Sequence, residues 1–92
     1  MSLFLAESYP SGVTEASFRE SRANADRAAA AAGPEQVVHC VDAILIPDDG
    51  VVFFLFDGPS VEAVRAVVRR AGIAADRVVE TVRADIGEGA ER

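Results

Sequence analysis

The chain has 92 residues, of which 50% are hydrophobic and 26% are charged, and its net charge is −6. These values are typical of one small folded domain and argue against a disordered chain. The acidic surface would repel phosphate backbones and anionic lipids, which argues against nucleic-acid and membrane-surface binding. Cys40 is the single cysteine, so no internal disulfide can form. Without a signal peptide or a membrane-length apolar run, we expect a cytoplasmic protein.

The first half of the chain predicts a strand followed by a helix. Residues 2–9 are short, apolar and aromatic, as in a strand, and the Pro-Ser-Gly sequence after them ends it. Thr14 is the predicted N-cap of an alanine-rich helix, and Glu15 suits the positive charge at the start of that helix. Gly33 and the proline after it end the helix. The small alanine side chains indicate that this helix packs closely on a sheet.

The second half predicts a hairpin, a helix and a last strand. Residues 36–46 and 51–56 are rich in β-branched and aromatic side chains, and the Pro-Asp-Asp-Gly turn between them predicts a hairpin. Ser60 is the predicted N-cap of the second helix, and Gly72 its C-cap. Residues 77–84 predict the final strand.

The predicted order is β-α-β-β-α-β, a ferredoxin-like α+β fold. Right-handed crossovers then give a four-stranded antiparallel sheet with both helices on one face and strand order 4-1-3-2. We expect one domain over residues 1–86 and a flexible acidic tail over residues 87–92.

Both faces of the predicted hairpin are apolar, although the two helices can cover only one. We pair Ile46 with Val51 to set the register. One face then carries Val41, Ala43, Leu45, Val52, Phe54 and Phe56, and the other carries Val38, Ile44, Ile46, Val51, Phe53 and Leu55. Antiparallel sheets with a wet face normally alternate apolar with polar residues. The pattern therefore predicts a homodimer in which two sheets pack face to face as an α+β barrel.

Three polar side chains on predicted strands suit a divalent metal. His39 is the only histidine, and Glu7 and Glu80 lie on the first and last strands, which should be neighbours. Two carboxylates and an imidazole are suitable ligands for nickel, copper or zinc. The carboxylates could equally pair with Arg77 or Arg83 across the sheet.

Cys40 stands beside His39, and adjacent strand residues point to opposite faces, so the two cannot act on one centre. Asp42 and Asp57 form a second, weaker candidate group with Cys40. We assign no catalytic residue from these patterns. An enzyme alternative nevertheless follows from the predicted barrel, because such barrels often enclose an apolar cavity.

In that alternative, four phenylalanines line the cavity: Phe4, Phe53, Phe54 and Phe56. His39 or Glu7 would be the general base of a cofactor-free isomerase, cyclase or monooxygenase-like enzyme. A third hypothesis gives the apolar face only a structural role in dimerisation.

Several short motifs resemble one family of small bacterial ferredoxin-like proteins with nickel-binding members. The motifs are FLAE at residues 4–7 with Pro10 and Gly12, VVHC at 37–40, the Asp49-Gly50 turn, DGPSVEAV at 57–64 and AGIAADRVVE at 71–80. The resemblance implies a non-catalytic, dimeric binding protein whose ligand is nickel or a related divalent metal. Glu7, His39 and Glu80 match polar positions typical of that family. Phe54 stands where the family often has a cysteine.

Overall fold

The strands and helices of the chain follow the predicted order. The computed structural model describes residues 2–84, so the predicted tail over 87–92 lies outside the described residues. The elements are β1 (Ser2–Ser8), α1 (Glu15–Ala30), β2 (His39–Ile46), β3 (Val51–Gly58), α2 (Val61–Arg70) and β4 (Ala75–Thr81). All three strand pairs are antiparallel, in the order β2-β3-β1-β4. This confirms the predicted ferredoxin-like α+β fold and its strand order. No helix within residues 2–84 is long and apolar enough to cross a membrane.

The hairpin and the last strand have different ends from those predicted. β2 begins at His39 instead of residue 36, because its partner β3 ends at Gly58 and His39 already lies opposite Asp57. β4 ends at Thr81 instead of residue 84, since Thr81 pairs with Leu3 near the start of β1. In both cases the end of the strand is set by the length of its neighbour.

Both helices begin at the predicted caps. Thr14 Oγ1 accepts a hydrogen bond from the Ser17 backbone N–H at 3.0 Å, and Ser17 Oγ accepts one from the Thr14 N–H at 2.9 Å. Ser60 Oγ accepts from the Ala63 N–H at 3.1 Å. These bonds satisfy backbone donors that a helix start would otherwise leave unpaired. The C-cap of α2 is Ala71, one residue before the predicted Gly72, and Gly72 follows it in the left-handed backbone conformation, with φ +77°.

The core lies between the sheet and the two helices. Its largest fully buried side chains are Phe54, Phe56, Val64 and Val67. The buried positions of α1 are alanines, which lets that helix approach the sheet closely. We call the side of the sheet away from the helices the open face. The register assigns to it Leu3, Leu5, Glu7, His39, Asp42, Ile44, Ile46, Val51, Phe53, Leu55, Asp57, Arg77, Val79 and Thr81.

A β-bulge in β2 changes the side on which its first residues lie. Cys40 pairs with Phe56 and Asp42 pairs with Leu55, so Val41 is an extra residue with no partner in β3. The expected faces of two valines were therefore wrong. Val38 is 3% exposed in the helix-side core, and Val41 is 44% exposed. The prediction rested on the assumption that side chains alternate between the two faces along the whole of this strand.

Candidate metal site on the open face

The open face has an apolar centre, with Asp42 beside it on the edge strand β2, and polar groups at its two ends. Leu55, Leu5 and Val79 lie side by side on β3, β1 and β4 in its middle. One end carries His39 and Asp57, and the other carries Glu7 with its partners. Because both helices are on the other side of the sheet, neither of them covers this surface.

The bulge places His39 on the open face, directly opposite Asp57. Side chains of such a cross-strand pair have Cβ atoms about 4.5–5.5 Å apart, so they can hold one ion between them. Asp57 Oδ1 is buried and has no hydrogen-bond partner among the described residues, whereas His39 is exposed. A buried acceptor without a partner costs about 1–3 kcal/mol, and more when it is charged. A cation bound here would remove that cost.

At the other end of the open face, Glu7 is held by two donors. Arg77 Nε donates to Glu7 Oε1 at 2.7 Å, and the Tyr9 hydroxyl donates to Glu7 Oε2 at 2.5 Å. The Tyr9 hydrogen bond and then Arg77 lower the pKa of Glu7 below 4.5. The hydrogen bond to Glu7 raises the pKa of Tyr9 above 10.0. The predicted ion pair with Arg77 is thus present, and it makes Glu7 a weak base.

The three predicted metal ligands do not meet within one chain. Glu80 pairs with Phe4, whose side chain is in the helix-side core, so Glu80 and Glu7 belong to opposite faces of the sheet. Glu7 shares the open face with His39 but lies four residues along β1 from Leu3, which is level with His39 and Asp57. That is about 13 Å along a strand. Residues 2–84 contain no group of three or more His, Cys, Asp or Glu side chains that could hold a metal.

The four phenylalanines of the predicted cavity are also divided between the two faces. Phe4, Phe54 and Phe56 are 3%, 1% and 0% exposed in the core, whereas Phe53 pairs with Glu7 on the open face. A cavity of about 220 Å³ beside the loop after β1 touches Phe54 alone of these four rings. Drug-sized ligands usually occupy about 300–1,000 Å³.

Cys40 lies on the helix side of β2, opposite Phe56, and His39 lies on the open face. This agrees with the prediction that the two cannot share a centre. Burial raises the pKa of the Cys40 thiol to about 11, so the thiol is protonated at neutral pH. Asp42 and Asp57 are on the open face, so the expected group with Cys40 does not form. The bulge separates them, and no feature of the sequence pattern shows it.

The chain is similar to known proteins over most of its length. The model of the SCO4226-like family, described as nickel responsive protein, matches residues 6–81. The crystal structure of SCO4226 from Streptomyces coelicolor A3(2) is 30% identical in sequence, with a TM-score of 0.73 over 90% of this chain and 99% of that chain. No curated protein matches the chain. From this match and the shared fold, the chain belongs to the SCO4226-like family of small nickel responsive proteins.

Proposed function

We propose that the chain is a non-catalytic protein that binds nickel or a related divalent metal through His39 and Asp57. The observation that carries this proposal is the buried Asp57 Oδ1, which has no partner among residues 2–84 and lies on the strand opposite the only histidine. An imidazole nitrogen and a carboxylate oxygen together are a donor set that nickel, copper and zinc accept. The family description, nickel responsive, supports the same metal.

Two ligands from one chain leave most of the metal's coordination positions to water or to a second chain. We therefore extend the proposal to a homodimer formed through the open face. Leu5, Leu55 and Val79 are only partly buried there, and Ile44 is 52% exposed. Burying an aliphatic side chain completely stabilises an assembly by about 1.5–3 kcal/mol. The Glu7–Arg77 pair joins opposite charges next to this apolar centre, and the exposed Asp42 lies at its β2 edge, opposite Leu55.

Equilibrium dialysis against nickel, zinc and cobalt, read by elemental analysis, tests the metal site. We expect near-stoichiometric uptake by the native protein and loss of uptake in His39→Ala and in Asp57→Asn. Glu80→Gln is the matched control, because Glu80 belongs to the other face. The ligand set Glu7, His39 and Glu80 remains a prediction, and loss of uptake in Glu80→Gln would support it over the pair. Absence of uptake by the native protein at micromolar metal would overturn both.

Sedimentation equilibrium tests the dimer separately. We expect a dimer at tens of micromolar and a monomer for Leu5→Glu, which places a charge in the centre of the open face. Glu20→Gln, an exposed change on α1, should leave the dimer intact. A native monomer at tens of micromolar would contradict the dimer without bearing on the metal pair.

A further inference from the structure

β4 is an edge strand with a cleft along its outer side. Within the described residues β4 pairs with β1 alone, so the outer edge of its backbone offers free N–H and C=O groups. A cleft of about 530 Å³ follows residues 73–79 along this edge, and α2 forms its other wall. We call this cleft the β4–α2 groove. A groove between an edge strand and a helix can accept an extended peptide as an added strand.

The helix wall of the β4–α2 groove carries positive charge. Arg65 and Arg69 line it and are exposed. The ion pairs of the described chain use Arg19, Arg22 and Arg77, and neither groove arginine takes part in one. Asp76 also lines the groove but makes no ion pair with either arginine. A ligand's carboxylates would therefore find two guanidinium groups available, and arginine is well suited to bind them.

The spacing of the two arginines matches that of a strand. Arg65 and Arg69 are four residues apart on α2, so they are separated by about 6 Å along the helix axis. Alternate side chains of a β-strand lie on the same side, about 6.6 Å apart. Successive side chains on the helix side of an added strand would thus come level with Arg65 and Arg69. The intervening side chains would lie on the open-face side, next to Val79.

We propose that the β4–α2 groove binds an acidic peptide in extended conformation. The peptide adds to the sheet at β4, its alternate carboxylates contact Arg65 and Arg69, and its intervening apolar side chains lie beside Val79. This site is separate from the His39–Asp57 pair, which is at the opposite edge of the sheet. The inference therefore does not depend on metal binding.

Fluorescence anisotropy with labelled synthetic peptides tests the proposal on the full chain. The probe is Glu-Val-Glu-Val-Glu-Val-Glu, and the control of equal composition is Glu-Glu-Glu-Glu-Val-Val-Val. We expect the alternating peptide to bind at least about tenfold more tightly, because only its carboxylates share one side. Two further versions carry N-methyl groups on alternate backbone nitrogens, one version for each edge of the peptide. Only the version methylated on the edge toward β4 should lose binding.

Protein variants test the charges. Arg65→Ala/Arg69→Ala should weaken binding of the alternating peptide by at least about tenfold. Arg70→Ala is the matched control, because Arg70 is on the same helix but lines a different cleft, with α1 residues such as Arg27. It should change binding by less than about twofold. Circular dichroism checks that each variant is folded.

Three results would overturn the proposal. The block peptide could bind as tightly as the alternating one, or both N-methylated peptides could bind equally well. The alternating peptide could also bind Arg65→Ala/Arg69→Ala as tightly as it binds the native chain, which would show that the two arginines do not hold its carboxylates.

Discussion

His39 lies directly across the β2–β3 ladder from Asp57, although regular alternation along β2 would put His39 on the helix side. The extra residue Val41 reverses the side on which the preceding residues lie. The same reversal buries Val38 against the helices. One backbone irregularity thus positions both a core residue and the candidate metal ligand.

Deleting Val41 should restore regular alternation and turn His39 toward the helices. We expect nickel uptake to fall as far as in His39→Ala. The free energy of unfolding should also fall by about 1.5–3 kcal/mol, because Val38 would leave the core. Dialysis and urea denaturation measure the two effects. Val41→Thr keeps the bulge and should change neither by much, so a deletion variant that still needs His39 for uptake would refute this account.

Asp57→Asn should stabilise the metal-free protein. A neutral amide costs less to bury than a carboxylate with an unpaired oxygen, and we expect a gain of about 1 kcal/mol in the free energy of unfolding. Urea denaturation at neutral pH with a chelator measures it, with the exposed turn variant Asp48→Asn as the control. Added nickel should reverse the order of the native protein and Asp57→Asn, because a ligand stabilises the folded state that binds it. A variant less stable than the native protein under both conditions would show that Asp57 is structural.

Tyr9 can be titrated directly, because the chain has one tyrosine and no tryptophan. Its tyrosinate absorbance should rise at a pH above 10.0 in the folded protein, and Glu7→Gln should lower that midpoint by removing the acceptor. A pKa raised on folding stabilises the protein below pH 10.0, and this contribution is lost as pH rises through the native pKa. An unchanged midpoint in Glu7→Gln would show that the two side chains do not interact in solution.

The contribution of Glu7 to stability depends on pH in the opposite direction to that of Tyr9. Its pKa is lowered in the folded chain, so its contribution to stability is present above pH 4.5 and is lost as pH falls through the native value. Carbon-detected NMR titration of the Glu7 carboxyl should give a midpoint below 4.5. Arg77→Ala should raise it, since that variant removes the donor 2.7 Å from Oε1. An Arg77→Ala midpoint equal to the native one would leave the Tyr9 hydroxyl as the sole cause.

Gly58 should not tolerate a side chain while Val64 is present. A Cβ at Gly58 would lie 3.0 Å from Val64 Cγ2 and 3.4 Å from a methyl group of Val38. We expect Gly58→Ala to cost about 1–3 kcal/mol of stability through overpacking. Val64→Ala removes the nearest methyl groups, so the double variant should lose at least about 0.5 kcal/mol less than the sum of the two single changes. Additive losses in urea denaturation would mean that the backbone moves to make room.

The sequence was sufficient for the fold because each local signal agreed with the next. Thr14, Ser60 and Gly72 are capping residues whose roles follow from short-range chemistry, and the hairpin follows from its turn. The ends of the strands could not be predicted from the sequence, since the length of a neighbouring strand sets them. The pairing of His39 with Asp57 also could not be predicted from the sequence, because the pattern of apolar residues in β2 does not show where the bulge lies. The ion pair between Glu7 and Arg77 was one of two alternatives for Glu7, and the strand register places the two residues opposite each other.

The pairing of β1 with β4 has a consequence for how the chain folds during its synthesis. Thr81 Oγ1 donates to the Leu3 carbonyl across 78 positions of sequence, and Ser8 Oγ donates to the Ala74 carbonyl across 66. β1 pairs with β3 and β4, so neither of its edges is satisfied until much of the chain has been made. Such distant contacts slow folding, because loop closure must precede them. The sheet can therefore close only after residues 75–81 have left the ribosome, and until then β1 lacks the partner that covers one of its edges.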